Sequence, residues 1–224
     1  MRQHRIMLGL ALSAVLFATG CAHRPLQSVD YTAFRQAKPR SLLVLPPVNE
    51  SPDVNASFSM LSQVTFPLAE SGYYVMPVTL VAETFKQNGL SNPPEMHAVA
   101  PAKLKEIFGA DAALYIKIKR YGTTYTVLNS AAIVAAEANL IDLQTGSTLW
   151  TGSASASNAE NSNNNSGGLG GLLVAAIVKQ IINSTTDAAH PVAGITSSRL
   201  LSAGHVNGLL YGPRSPKYGL DGQN

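Results

Sequence analysis

The chain changes its hydrophobic period once, near residue 110, and that change limits the folds open to it. Before it, apolar residues recur at helical spacing between short apolar runs; after it, they alternate. Ala112, Leu114, Ile116 and Ile118 fall on one side of an extended segment, and Tyr115, Lys117, Lys119 and Tyr121 on the other. From Ala131 to Leu143 the apolar side is Val134, Ala136, Ala138 and Leu140. Gln144-Thr145-Gly146 is a turn, and Ser147 to Ala156 is the return strand, carrying the only tryptophan, Trp150. Alternation with one polar face is how antiparallel strands read when helices cover one side.

The earlier part supplies the helices and two further strands. Ser41 to Leu45 is a continuous apolar run closed by Pro46-Pro47, which reads as a buried strand with a hard stop. Phe58, Leu61, Val64 and Leu68 lie at helical spacing, with Pro67 expected to kink or restart that helix. Tyr73 to Val78 is the second strand. A short helix follows on Leu80, Val81 and Phe85 with Gly89 after it, then a loop from Ser91 to Ala100. Pro101 to Phe108 has Pro in its first turn and Gly109 beyond its end, the usual helix asymmetry. Val192 to Leu201 is a last helix. The expected fold is a single-domain α/β sandwich: a mixed sheet of about five strands, βαβ then an antiparallel meander, covered by helices. The domain is placed at residues 41–218. Residues 157–171, rich in Asn, Ser and Gly, are expected to be a flexible loop, and 219–224 a disordered tail. Leu172 to Ile182 is strongly apolar and reads either as a core helix or as a segment for a partner or the bilayer interface. Gly208 to Asn224 reads as a strap.

The start of the chain says where the protein works. Arg2 and Arg5 precede an apolar run from Ile6 to Ala18, followed by Thr19, Gly20 and Cys21, the only cysteine. This is signal-peptide layout, expected over residues 1–20, and the run is shorter than the ~20 residues a bilayer span needs. Cys21 at the cleavage point resembles the lipobox of bacterial lipoproteins, with Ala18 where that signature prefers Leu. The resemblance implies a diacylglycerol and an amino-terminal acyl chain such as palmitate on Cys21. An ordinary signal peptide with a chance cysteine is the alternative. Residue 22 is Ala, not Asp, which by the same resemblance implies the outer membrane, on its periplasmic side. Residues 22–40, with Pro25, Pro39 and no sustained period, read as a tether of ~3.3 Å per extended residue.

Composition excludes several functions. Losing Arg2 and Arg5 lowers the formal charge from +3 to +1, so nothing marks a nucleic-acid surface. One cysteine allows neither an internal disulfide nor a cysteine-rich zinc site. There is no G-x-S-x-G and no H-E-x-x-H, and His23, His97, His190 and His205 are scattered through loops. Glu137 could be a buried acid, but its place on a strand suits a polar-face pair with Lys117 or Lys119 better. The glycines at 167–171 precede an apolar stretch but lack the Lys and Ser/Thr of a phosphate loop. No cofactor, metal or catalytic set is expected. The best surface candidate for docking a protein is Tyr115, Lys117, Lys119 and Tyr121.

Three stretches together carry a family resemblance: Leu42 to Ser51 (LLVLPPVNES), Ile141 to Trp150 (IDLQTGSTLW) and Leu209 to Tyr218 (LLYGPRSPKY). With the lipobox, they resemble a Gram-negative lipoprotein family of unknown function, the type of a genome-derived neisserial antigen. The pattern Asp142, Thr145, Gly146, Trp150 is also similar to a hairpin of the TolB amino-terminal domain and of the curli secretion lipoprotein CsgG. The resemblance implies a TolB-amino-terminal-like fold, a tendency to form homodimers, and work beside other envelope lipoproteins, CsgG-like ones among them. No catalytic residues come with it. The function expected is an outer-membrane lipoprotein whose periplasmic domain binds proteins, as an accessory of a transport or secretion assembly. An envelope hydrolase or small-ligand binder using Glu137 or a histidine, and a surface-exposed structural antigen, are the alternatives.

Overall fold

Proline placement explains how the sheet begins. In the computed structural model, which describes residues 29–125, 130–160 and 187–221, strand β1 (Ser41–Val44) pairs in parallel with β4 (Ala112–Tyr125). Pro46 and Pro47 have no N–H to give to a ladder. The ladder breaks there and resumes in β2 (Val48–Asn49), which pairs with β4 at Lys117 and Ile118. The hard stop expected at the prolines is therefore an interruption. Strand β3 (Tyr74–Val75), shorter than expected, lies parallel to β1 on its other side. Strands β5 (Ser130–Asp142) and β6 (Thr148–Ser157) complete an antiparallel meander with β4. The order is β3-β1-β4-β5-β6 in a mixed sheet of six strands, one more than expected because of β2.

Helices α2 (Ala56–Glu70) and α6 (Ala189–Leu201) cover one face of the sheet. They bury Met60, Val64, Leu68, Val192 and Leu201 against Leu42, Val44, Ile116, Val134 and Trp150. Pro67 sits inside α2 without ending it. Helices α3 (Val78–Gln87), α4 (Pro93–His97) and α5 (Pro101–Phe108) supply the other layer. There Val81, Phe85, Met96 and Leu104 pack on Leu43, Leu45 and Leu143. β1 is thus buried on both faces, which is why its sequence is continuous apolar and not alternating. Helix α4 falls in the loop expected from Ser91 to Ala100. The outer face of β4 to β6 beyond these helices is polar.

Both ends of the described chain pack on the domain. Helix α1 (Thr32–Ala37) lies in the stretch read as tether, and its Phe34 is buried. The Tyr31 hydroxyl donates to the Gly208 carbonyl at 2.5 Å, and Val29 N donates to Asn207 Oδ1 at 3.2 Å. The carboxyl-terminal strap crosses the end of α2: Gly212 N donates to Ser71 O (2.8 Å) and Arg214 N to Gly72 O (3.0 Å). A Cβ on Gly72, which has φ +96°, would collide with the backbone of Ser215 and Gly212, so the crossing requires glycine. Cys21, the leader, Leu172 to Ile182 and most of the loop 157–171 lie outside the described residues.

Candidate interaction surface

Strand β4 decides the fate of the four residues the alternation placed on one side. The pairing runs Ile118 with Ala136, then Arg120 with Ala135, leaving Lys119 as the extra residue of a bulge. A bulge reverses the parity of everything after it. Tyr121 therefore turns into the core, 5% exposed, and does not share a face with Lys117. The other three are also divided. Tyr115 is half-buried, its ring edge-on to His97 at 5.2 Å, and burial raises its phenol pKa. Lys117 is exposed and stands opposite Glu137 in the ladder, as the polar-face reading expects. Glu137 itself is exposed, so a buried acid has no basis there. Lys119 is ion-paired with Glu50. Lys119 and Tyr121 both line a groove of about 450 Å³ with Glu50, Asp53 and Arg120, and Tyr115 does not line it. The quartet is not one surface.

Tyr121 instead joins a polar network between α2, α6 and β4. Its hydroxyl donates to Ser59 Oγ at 2.7 Å and lies 3.1 Å from Asp187 Oδ2. Burial first, and then the Asp187 carboxylate, push the phenol pKa up to about 12, opposed by the Ser59 hydroxyl, which can turn its proton to a phenolate. His190 bridges the helices, with Nδ1 2.8 Å from Ser59 Oγ and Nε2 2.9 Å from Gln63 Nε2. Asp187 Oδ1 accepts from Ala189 N and His190 N, capping the start of α6. This network sits behind α2 and fixes it on the sheet. His97 is half-buried, and its Nε2 donates to the Pro46 carbonyl at 2.9 Å. Burial holds its pKa below the ordinary value, Lys117 adds to that, and the Pro46 bond opposes it. His205 is exposed; His23 lies outside the described residues. Among the described residues no cluster of His, Cys, Asp or Glu could hold a metal ion.

The feature that sequence reasoning missed is the outer face of α2. Phe58 is 76% exposed and Phe66 is 70% exposed, with Val54 at 82% just before the helix. Phe58, Ser62 and Phe66 follow at i, i+4 and i+8, so they line one stripe. Thr65 and Ala69 are exposed beside them. Between Ala56 and Ala69 there is no charged residue; Glu70 alone carries charge. Surface helices ordinarily turn charged residues to water opposite their apolar stripe. Helical spacing groups Phe58 with Leu61, Val64 and Leu68, yet Met60, Val64 and Leu68 define the buried side and Phe58 lies off it. The readable signal was the missing charge, not the period.

Fold and surface together define a class. This is a single mixed α/β domain behind a leader of lipoprotein pattern, and no described helix is long and apolar enough to cross a membrane. Within that class the chain belongs to the GNA1162-like family: the family model "Putative lipoprotein GNA1162-like" matches residues 29–214. The chain is 50% identical over 205 residues to "Putative lipoprotein NMB1124/NMB1162" of Neisseria meningitidis serogroup B, spanning 92% of this chain and 94% of that protein. It is similar to the crystal structure of lipoprotein GNA1162 from Neisseria meningitidis, with a TM-score of 0.53 at 54% identity. That match covers 65% of this chain and 100% of the other. The LpoB carboxyl-terminal domain from Salmonella enterica matches at 21% identity and a TM-score of 0.37, covering 53% of this chain and 83% of that one, too distant to carry function.

Proposed function

We propose that this protein is an outer-membrane lipoprotein, lipidated at Cys21, whose periplasmic domain binds another envelope protein as an accessory of a transport or secretion assembly. The observation that carries the reading is the uncharged outer face of α2, with Phe58 and Phe66 in water. Exposed aromatic residues on a face without charge are typical of the core of a protein–protein interface. Membership of a lipoprotein family supports the anchor, and Ala22 supports the outer membrane. The partner chemistry that fits is an apolar groove or helix on a second envelope lipoprotein, CsgG-like ones included. A second copy of this chain is the homodimer alternative. The domain acts without catalysis in this reading.

Two experiments test it. Cys21→Ala should release the domain from membranes or leave an unprocessed precursor; a mature, membrane-bound variant would refute the anchor. Co-purification from gently solubilised membranes should recover a partner that Phe58→Asp/Phe66→Asp loses and Lys117→Glu keeps. Equal recovery with both variants would remove α2 from the reading. An enzymatic reading has one observation in its favour, the 2.8 Å contact of Ser59 Oγ with His190 Nδ1. Ser59 is buried, and it lines neither the groove beside β4 nor the cavity under the strap.

A further inference from the structure

We infer that the end of the domain formed by α1, the 204–208 loop and the strap lies on the phospholipid leaflet that holds Cys21, with its cations on anionic headgroups. This rests on the lipid at Cys21 and adds an orientation to it. The first argument is length. The first described residue is Val29, held beside Asn207. From Cys21 to Val29 a fully extended chain covers at most ~29 Å. A compact domain of this size is ~40 Å across. The tether is too short for the far side of the domain to turn to the membrane, so the end holding Val29 faces it.

The second argument is what that end carries. Arg35 of α1 and Lys38, its left-handed cap residue, line a cavity of about 320 Å³ together with Tyr211, Tyr218 and Asp221 of the strap. Lys217 Nζ stands 5.5 Å from the Tyr211 ring centroid. None of these three cations forms a salt bridge within the described residues. Two carboxylates share this end, Asp30, within the field of Arg35, and Asp221, so the three cations outnumber them by one. Asp221 accepts from Tyr211 N at 3.1 Å, and Asp30 from Thr32 N at 2.8 Å. Apolar side chains stand out at the same end. Val206, next to the residue that holds Val29, is 84% exposed, Leu220 54% and Tyr218 44%. Basic residues, an amphipathic aromatic and isolated apolar side chains on one end match what an anionic lipid surface attracts.

The test uses the lipidated full-length protein in vesicles. Cys21 is the only native cysteine, so a Val206→Cys variant offers one free thiol for a spin label once Cys21 carries lipid. In vesicles of phosphatidylcholine with phosphatidylglycerol, the label at 206 should be relaxed by a headgroup-bound nickel chelate. A label at Glu137→Cys, on the polar sheet face, should respond only to a water-soluble agent. Each cation near an anionic surface is worth about a factor of five, so Arg35→Glu/Lys38→Glu/Lys217→Glu should weaken the contact more than about tenfold while the lipid anchor stays. The inference is overturned if the lipidated protein keeps residue 206 in bulk water, or if 206 becomes shielded only as protein concentration rises, which would mean a second copy covers it. Mass spectrometry showing no lipid on Cys21 would overturn the underlying anchor reading instead, and the two failures are separable.

Discussion

Asp142 shows how one side chain sets the geometry of a whole hairpin. Its Oδ1 accepts from Gln144 N (3.0 Å), Thr145 N (2.6 Å) and Thr145 Oγ1 (2.8 Å), while Gly146, at φ +75°, lets the chain turn back into β6. Asp142 is only 7% exposed. Asp142→Ala should therefore cost roughly 2 kcal/mol, because it removes the carboxylate that accepts the three hydrogen bonds holding the turn. Asp142→Asn, which keeps an acceptor oxygen, should cost less; chemical denaturation measures both. His97 gives the pH dependence. Its folded pKa is lowered chiefly by burial from an ordinary value near 6.5, so the unfolded chain binds the proton more readily. Its contribution to stability is present above pH 6.5 and is lost as pH falls through the folded value. Denaturation midpoints across that range should fall with acidification in the wild type and fall less in His97→Gln.

At the scale of elements, α2 has a buried side and an exposed apolar side, and substitutions should separate them. Leu68 is fully buried, and Leu68→Ala should cost about 2–5 kcal/mol. Phe58→Asp/Phe66→Asp removes apolar surface already in water and should leave stability within about 0.5 kcal/mol per site. Thermal unfolding distinguishes these outcomes; a large loss in the aspartate pair would mean that the face is covered within the protein. Elements were legible where one cause acted alone. Pro101 and Gly109 bracket α5, and the helix runs from Pro101 to Phe108 as the sequence predicts. Leu114 to Ile118 alternates because there only one face of β4 is fully buried. The bulge at Lys119 was not legible: it follows from how β4 meets β5, and nothing local announces it. For the same reason Tyr121 was placed on the solvent side with Tyr115, Lys117 and Lys119, and the candidate surface built on that side fell apart. Helix α1 has one deeply buried residue, Phe34, which gives no period; its start is held by the Tyr31–Gly208 bond, 177 residues apart in sequence.

At the scale of the molecule, the parts divide the work. The two cores on either side of β1 hold the fold without a disulfide among the described residues. The Ser59–His190–Tyr121 network keeps α2 rigid on the sheet, and the strap and α1 close the end that leads to Cys21. These parts serve the proposed role of a lipid-anchored domain that presents the outer face of α2 to another envelope protein. The most direct test is a photocrosslinking amino acid, p-benzoylphenylalanine, in place of Phe58 in living cells, with the same residue in place of Glu137 as the control. A discrete crosslink is expected from position 58 to another envelope protein and none from position 137. No crosslink at 58, or the same products from both positions, would contradict it.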